Sequence, residues 1–175
     1  MMRGVWFLSY EQFSRIRPGP DAVAISISDR FYEARVAPGF AAVLRQRFSD
    51  ADPALEALPP GAQLFTPDHA GELNVWCDHW LGRDGITHLY VQCWAGRTRS
   101  AANAWWISQQ YRIPLRTDFP LQFMNLHILR QLPGAHPLPA LTSGERDCRA
   151  ARSPGEHFAP LRFLASGQTR EKGDP

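Results

Sequence analysis

The sequence predicts an α/β protein with a central, mostly parallel sheet flanked by helices. Two observations carry that reading. Short apolar runs such as Ala22 to Ile27 and Ile86 to Val91 are interleaved with stretches of helical periodicity, the pattern of a layered sheet with crossover helices. The run Ile86 to Val91 also leads through a short Gly-containing loop into the Ala-rich, Pro-free stretch Ser100 to Tyr111, which reads as a buried strand feeding a helix N-terminus.

Val5 to Leu8 reads as the first strand, and Ser9-Tyr10-Glu11-Gln12 supplies a capping-box pattern for a short helix that ends before Pro18. In Ala22 to Ile27 the residues Val23, Ile25 and Ile27 alternate with small residues, which predicts a core strand closed by Ser28-Asp29. Ala42 to Phe48 is a further strand, followed by a Pro/Gly-containing loop to Gln63. Thr66-Pro67-Asp68 reads as an N-cap, a proline at the first helical position and an acid in the first turn. Behind it Leu73, Trp76, Cys77, Trp80 and Leu81 repeat with helical spacing, giving one apolar face for the sheet. Beyond Tyr111, Pro114 to Pro120 is a connector and Leu121 to Leu132 a helix burying Phe123, Leu126, Ile128 and Leu129 in part. Pro133 to Pro139 reads as extended, Phe158, Leu161, Phe163 and Leu164 as packing back onto the domain, and 166–175 as a disordered tail.

A length of 175 residues suits one domain, set at 1–165, because two would each have a small core. A formal charge of +2, with basic residues scattered except near the C-terminus, supports a mild attraction to phosphorylated ligands and is too small to argue for a nucleic-acid partner, so none is expected. Cys77, Cys93 and Cys148 form no metal-type pair and argue against a disulfide scaffold. The run Val5 to Leu8 is too short for a signal-peptide core and no stretch is long enough to span a membrane, so a cytoplasmic location is expected. Cys77 and His79 lie two residues apart on different sides of their helix, which disfavours a metal site.

The chemistry concentrates in Val91 to Ser100. Five residues separate Cys93 from Arg99, enough for Trp94, Ala95, Gly96, Arg97 and Thr98 to wrap a tetrahedral oxyanion with inward backbone amides. The positive end of the following helix favours the Cys93 thiolate. Arg99 can hold two phosphate oxygens in its planar fork, placing phosphorus in line with the sulfur. Ser100 can donate to the thiolate or cap the helix. At Gly96 a side chain would block either the bend or the anion.

Cys93-Trp94-Ala95-Gly96-Arg97-Thr98-Arg99-Ser100 resembles the signature loop of the cysteine-dependent protein phosphatases, in particular the dual-specificity branch with its Cys-x-Ala-Gly-x-Ser-Arg-Ser pattern. The match covers Ala95, Gly96, Arg99 and Ser100, with Thr98 as a related hydroxyl. The resemblance implies a phosphatase-like fold, a phosphocysteine intermediate, no metal or organic cofactor, and a phosphorylated protein or small phosphate ester as substrate. It also implies an aspartate that protonates the leaving oxygen and activates the hydrolytic water. In similar bacterial proteins an apolar residue is followed by Arg-Phe-Asp-Asp; here Arg47-Phe48-Ser49-Asp50 takes that place, making Asp50 the leading candidate and Asp52 and Asp68 the alternatives.

The chain departs from the pattern twice. Gln92 stands where the family usually has histidine, which raises the alternative of a catalytically weak phosphate-binding module. Arg97 adds a cation at a position that is often apolar, which raises the alternative of a phosphoinositide, inositol phosphate or RNA 5′-phosphatase.

Overall fold

The structure, a computed structural model, describes residues 2–134 other than Glu56 and Asp118. The expected packing of Phe158, Leu161, Phe163 and Leu164, the domain end at 165, the tail and most of the extended segment Pro133 to Pro139 lie outside the described residues.

The chain forms β1 (Gly4–Ser9), α1 (Tyr10–Ser14), β2 (Ala22–Ser28), β3 (Ala42–Arg47), α2 (Pro67–Leu81), β4 (His88–Cys93), α3 (Arg99–Tyr111), β5 (Leu115–Arg116), a 3-10 turn (Leu121–Phe123) and α4 (Leu126–Gln131). The strands make one five-stranded sheet in the order β3-β2-β4-β1-β5, and every pairing is parallel. The protein is therefore α/β. β2 is buried along its whole length between β3 and β4, which explains why its polar positions, Ser26 and Ser28, are small. Parallel pairing brings the C-terminal ends of β1, β2, β3 and β4 to one edge of the sheet, and the segments leaving them meet there.

Local chemistry sets the helix boundaries. Ser9 and Gln12 complete a capping box at α1, with the Ser9 amide donating to Gln12 Oε1 at 2.9 Å. Thr66 caps α2 in the same manner, with His69 as its partner and Pro67 at the first helical position. α2 buries Leu73 and Cys77, while Trp76, Trp80 and Leu81 pack against the core from its half-buried flank. α3 buries its small-residue face, Ala101, Ala102 and Ala104, together with Trp106 and Ile107.

Three expectations need correction. The fourth strand begins at His88, because the amides of both Thr87 and His88 donate to the Asp21 carbonyl and delay the ladder. The connector after Pro114 contributes β5, two residues paired with Val5 and Trp6 of β1. The helix drawn from Leu121 to Leu132 breaks at Asn125, whose side chain caps a new helix by accepting from the His127 and Ile128 amides. Phe123 and Leu126 are left exposed by that break, whereas Ile128 and Leu129 are buried.

Removing the α2 cap by Thr66→Ala leaves an orphan amide at the start of the longest helix described. A loss of about 1 kcal/mol in unfolding free energy is expected, read by urea denaturation as a lower midpoint at unchanged slope.

Candidate functional site

Cys93 is the last residue of β4 and is fully buried. Its Sγ lies 3.2 Å from the Ser100 hydroxyl in the first turn of α3, so the loop between them folds back on itself. Gly96, at the apex, has φ of +67° and lies against the β1–α1 junction, where a Cβ would stand 2.2 Å from the Ser9 amide nitrogen. Glycine is required there on both counts. The Tyr10 amide adds a second tie by donating to the Trp94 carbonyl at 3.2 Å.

Arg99 is 4% exposed, and its Nη1 donates to the Phe48 carbonyl at 2.9 Å and to the Ser28 carbonyl at 3.4 Å, with Asp29 Oδ2 also at 3.4 Å. The two carbonyls sit at the ends of β2 and β3, where that of Ser28 also accepts the Phe48 amide at 3.0 Å. Arg99 Nε is buried and without a hydrogen-bond partner. The guanidinium is thus fixed by one nitrogen and keeps donor capacity.

α3 is also the one α-helix described whose N-cap side chain makes no capping hydrogen bond. The Thr98 hydroxyl donates to Asp50 instead. The opening amides of an uncapped helix have no intrahelical acceptor, so they and the helix dipole are available to an anion.

The three candidate acids lie in different surroundings. Asp50 is exposed at the loop, held by Thr98 through Oδ2 and by Asn125 Nδ2 at 3.1 Å through Oδ1. Asp52 is buried in an ion pair with Arg130, at 3.1 and 3.2 Å, and also accepts from the Ala54 amide. Asp68 is exposed in the first turn of α2, where it favours the helix dipole. Of the three, Asp50 is the one that contacts the loop. Arg97 is exposed, with its guanidinium 5.9 Å from the Phe119 ring centroid.

Three aromatic rings stand beside the loop. Trp94, 58% exposed, meets Tyr32 edge-on at 4.7 Å and stacks on Tyr10 at 6.1 Å, while Tyr10 and Tyr32 are 5.2 Å apart. Burial, followed by the nearby Tyr10 and Cys93, raises the Tyr32 phenol well above its ordinary range. Tyr32, Tyr10 and Asn125 are site residues that sequence reasoning missed. Asn125 carried a usable signal, an N-cap residue ahead of an apolar helical repeat; Tyr32 carried none.

Gln92 is buried and donates through Nε2 to the Ser26 hydroxyl at 2.7 Å, across the β2–β4 pair. Cys77 is a core residue whose thiol is pushed up by burial and next by Asp78, which favours the neutral thiol. Among the described residues no group of three or more His, Cys, Asp or Glu side chains is placed to hold a metal, and no helix is long and apolar enough to cross a membrane.

Comparison with protein-family models, curated proteins and solved structures gives no match for the chain.

Gly96→Ala forces a side chain into a left-handed backbone position and against the Ser9 main chain. A loss of at least ~2 kcal/mol is expected from strain and overpacking together, measured by chemical denaturation.

Proposed function

We propose that the chain is a cysteine-dependent phosphatase of tyrosine or dual-specificity type, hydrolysing phosphate monoesters, protein phosphotyrosine and also phosphoserine or phosphothreonine, through a phosphocysteine intermediate. One observation carries this reading: a buried cysteine at a strand end faces the uncapped N-terminus of α3, with the buried, partly unpartnered Arg99 in its first turn.

On this reading the Cys93 thiolate attacks phosphorus and the ester P–O bond breaks. The loop amides and Arg99 hold the three phosphoryl oxygens as charge spreads over them. Asp50 gives its proton to the departing oxygen, then takes one from the water that attacks the phosphocysteine, releasing phosphate and restoring the thiolate. Its support is its place: exposed, and hydrogen-bonded to Thr98 within the loop. Asp52 is buried and engaged by Arg130, and Asp68 lies in the first turn of α2. The Ser100 hydroxyl, 3.2 Å from Sγ, stabilises the thiolate as attacking and as leaving group.

A second reading keeps the loop and changes the substrate to a phosphoinositide, inositol phosphate or RNA 5′ end. The exposed Arg97, at the loop rim beside Phe119, favours it because a second phosphate on the substrate would meet that charge.

Cys93→Ser is expected to abolish hydrolysis of an aryl phosphate. Asp50→Asn is expected to lower kcat by about 100-fold or more, with Asp52→Asn as the comparison that must fall less. Persistent turnover in Cys93→Ser overturns the nucleophile assignment.

Arg97→Ala separates the two substrate classes. A drop of tenfold or more in kcat/KM on an inositol polyphosphate, with turnover of a phosphotyrosine peptide retained, supports the second reading. Equal effects on both substrates remove it.

A further inference from the structure

Two buried donors at the candidate site lack a hydrogen-bond partner, Arg99 Nε and the Tyr32 hydroxyl. Arg99 already has a task in the loop. Tyr32 comes from a separate segment, between β2 and β3, and the phosphoryl-transfer steps make no use of it. A hydroxyl shielded from water with no acceptor has lost its hydration without replacement, so its position calls for a partner supplied from outside the chain.

The ring is held firmly beside the loop. Asp29 and Tyr32 close a tight backbone bridge, the Asp29 amide donating at 3.1 Å and the Tyr32 amide at 3.3 Å. The Asp29 carboxylate at the base of that bridge is the one that approaches Arg99. From the other side, Trp94 of the loop meets the Tyr32 ring at 4.7 Å, and Tyr10, itself tied to the Trp94 carbonyl, meets it at 5.2 Å. Tyr32 is therefore anchored to Arg99, to the loop and to the start of α1. The titratable groups that face its phenol are Tyr10, Cys93, Arg99 and Asp29, and burial above all pushes the phenol's pKa up, so it stays a donor.

We propose that Tyr32 is a substrate-binding residue: its hydroxyl donates a hydrogen bond to the oxyanion that Arg99 and the loop amides hold. The ring contacts position the donor before the anion arrives, so little ordering is needed on binding. The identity of the anion as a phosphate ester rests on the phosphatase reading; the donor role does not.

The test compares wild type with Tyr32→Phe, which removes the hydroxyl and keeps the ring. Orthophosphate and tungstate binding are measured by calorimetry, thermal unfolding is measured without anion, and turnover is measured on an aryl phosphate. The expected result is a tenfold or greater loss of anion affinity, a hydrogen bond to a charged group being worth that much, with anion-free unfolding unchanged. Anion binding by Tyr32→Phe within twofold of wild type overturns the proposal, as does a loss matched by lower anion-free stability. A wild type that binds anion and hydrolyses nothing overturns the phosphatase reading and leaves Tyr32 its role; a wild type that binds no anion overturns both.

Discussion

A nearly buried guanidinium needs acceptors, and Arg99 finds them in the carbonyls of Ser28 and Phe48. The Phe48 carbonyl lies just past the end of β3, the Ser28 carbonyl accepts the Phe48 amide at 3.0 Å as well as Arg99, and the two are adjacent because β2 and β3 are parallel neighbours. Were β3 antiparallel to β2, its C-terminal end would lie at the opposite edge and Phe48 would be lost to Arg99. The strand that carries Cys93 runs beside β2 in the same direction, so the cysteine reaches that edge too. The sheet topology is thus the condition under which the main-chain carbonyls that hold Arg99 stand beside the loop that carries Cys93.

The loop is closed from its flanks by contacts that each do a second job. Thr98 gives up capping its own helix in order to bind Asp50, which opens the α3 amides while holding a carboxylate beside them. Asn125 caps α4 with its side-chain oxygen and binds Asp50 and the Ala51 carbonyl with its amide nitrogen, while its backbone amide donates to the Thr98 carbonyl at 3.3 Å. The segment after β3, the loop and the start of α4 are therefore one hydrogen-bonded unit. A displacement of any one moves the carboxylate relative to Cys93.

How much of this was legible depends on the reach of each interaction. The core strands, the capping boxes of Ser9 and Thr66 and the strand-to-helix loop are encoded within a few residues, where spacing and residue type suffice. The place of Asp50 was recoverable only through a resembling pattern, because its partner Asn125 is 75 residues away and no local period connects them. Tyr32 was not legible, since its place depends on the hairpin-like bridge at Asp29 and on ring contacts with two distant segments. Asn125 was hidden by reading Leu121 to Leu132 as one helix: Leu126 and Leu129 continue an apolar repeat that begins in the 3-10 turn, and the extended backbone at Met124 interrupts it.

The departure at Gln92 has a definite structural content. Successive side chains of a strand point to opposite faces, so Gln92 faces away from Cys93 and into the layer that holds Ser26. Its amide ties the end of β4 to β2 beneath the loop, and its Oε1 is buried without a partner. A neutral donor on that face adds no positive charge toward the sulfur. On the phosphatase reading, thiolate stabilisation then falls to what lies on the other side: the Ser100 hydroxyl, the open amides and dipole of α3, and Arg99. On the same reading Arg99 also binds the substrate, so a bound anion and the thiolate compete for the same positive charge, and an uncharged donor, the role proposed for the Tyr32 hydroxyl, would bind the anion without drawing on that field.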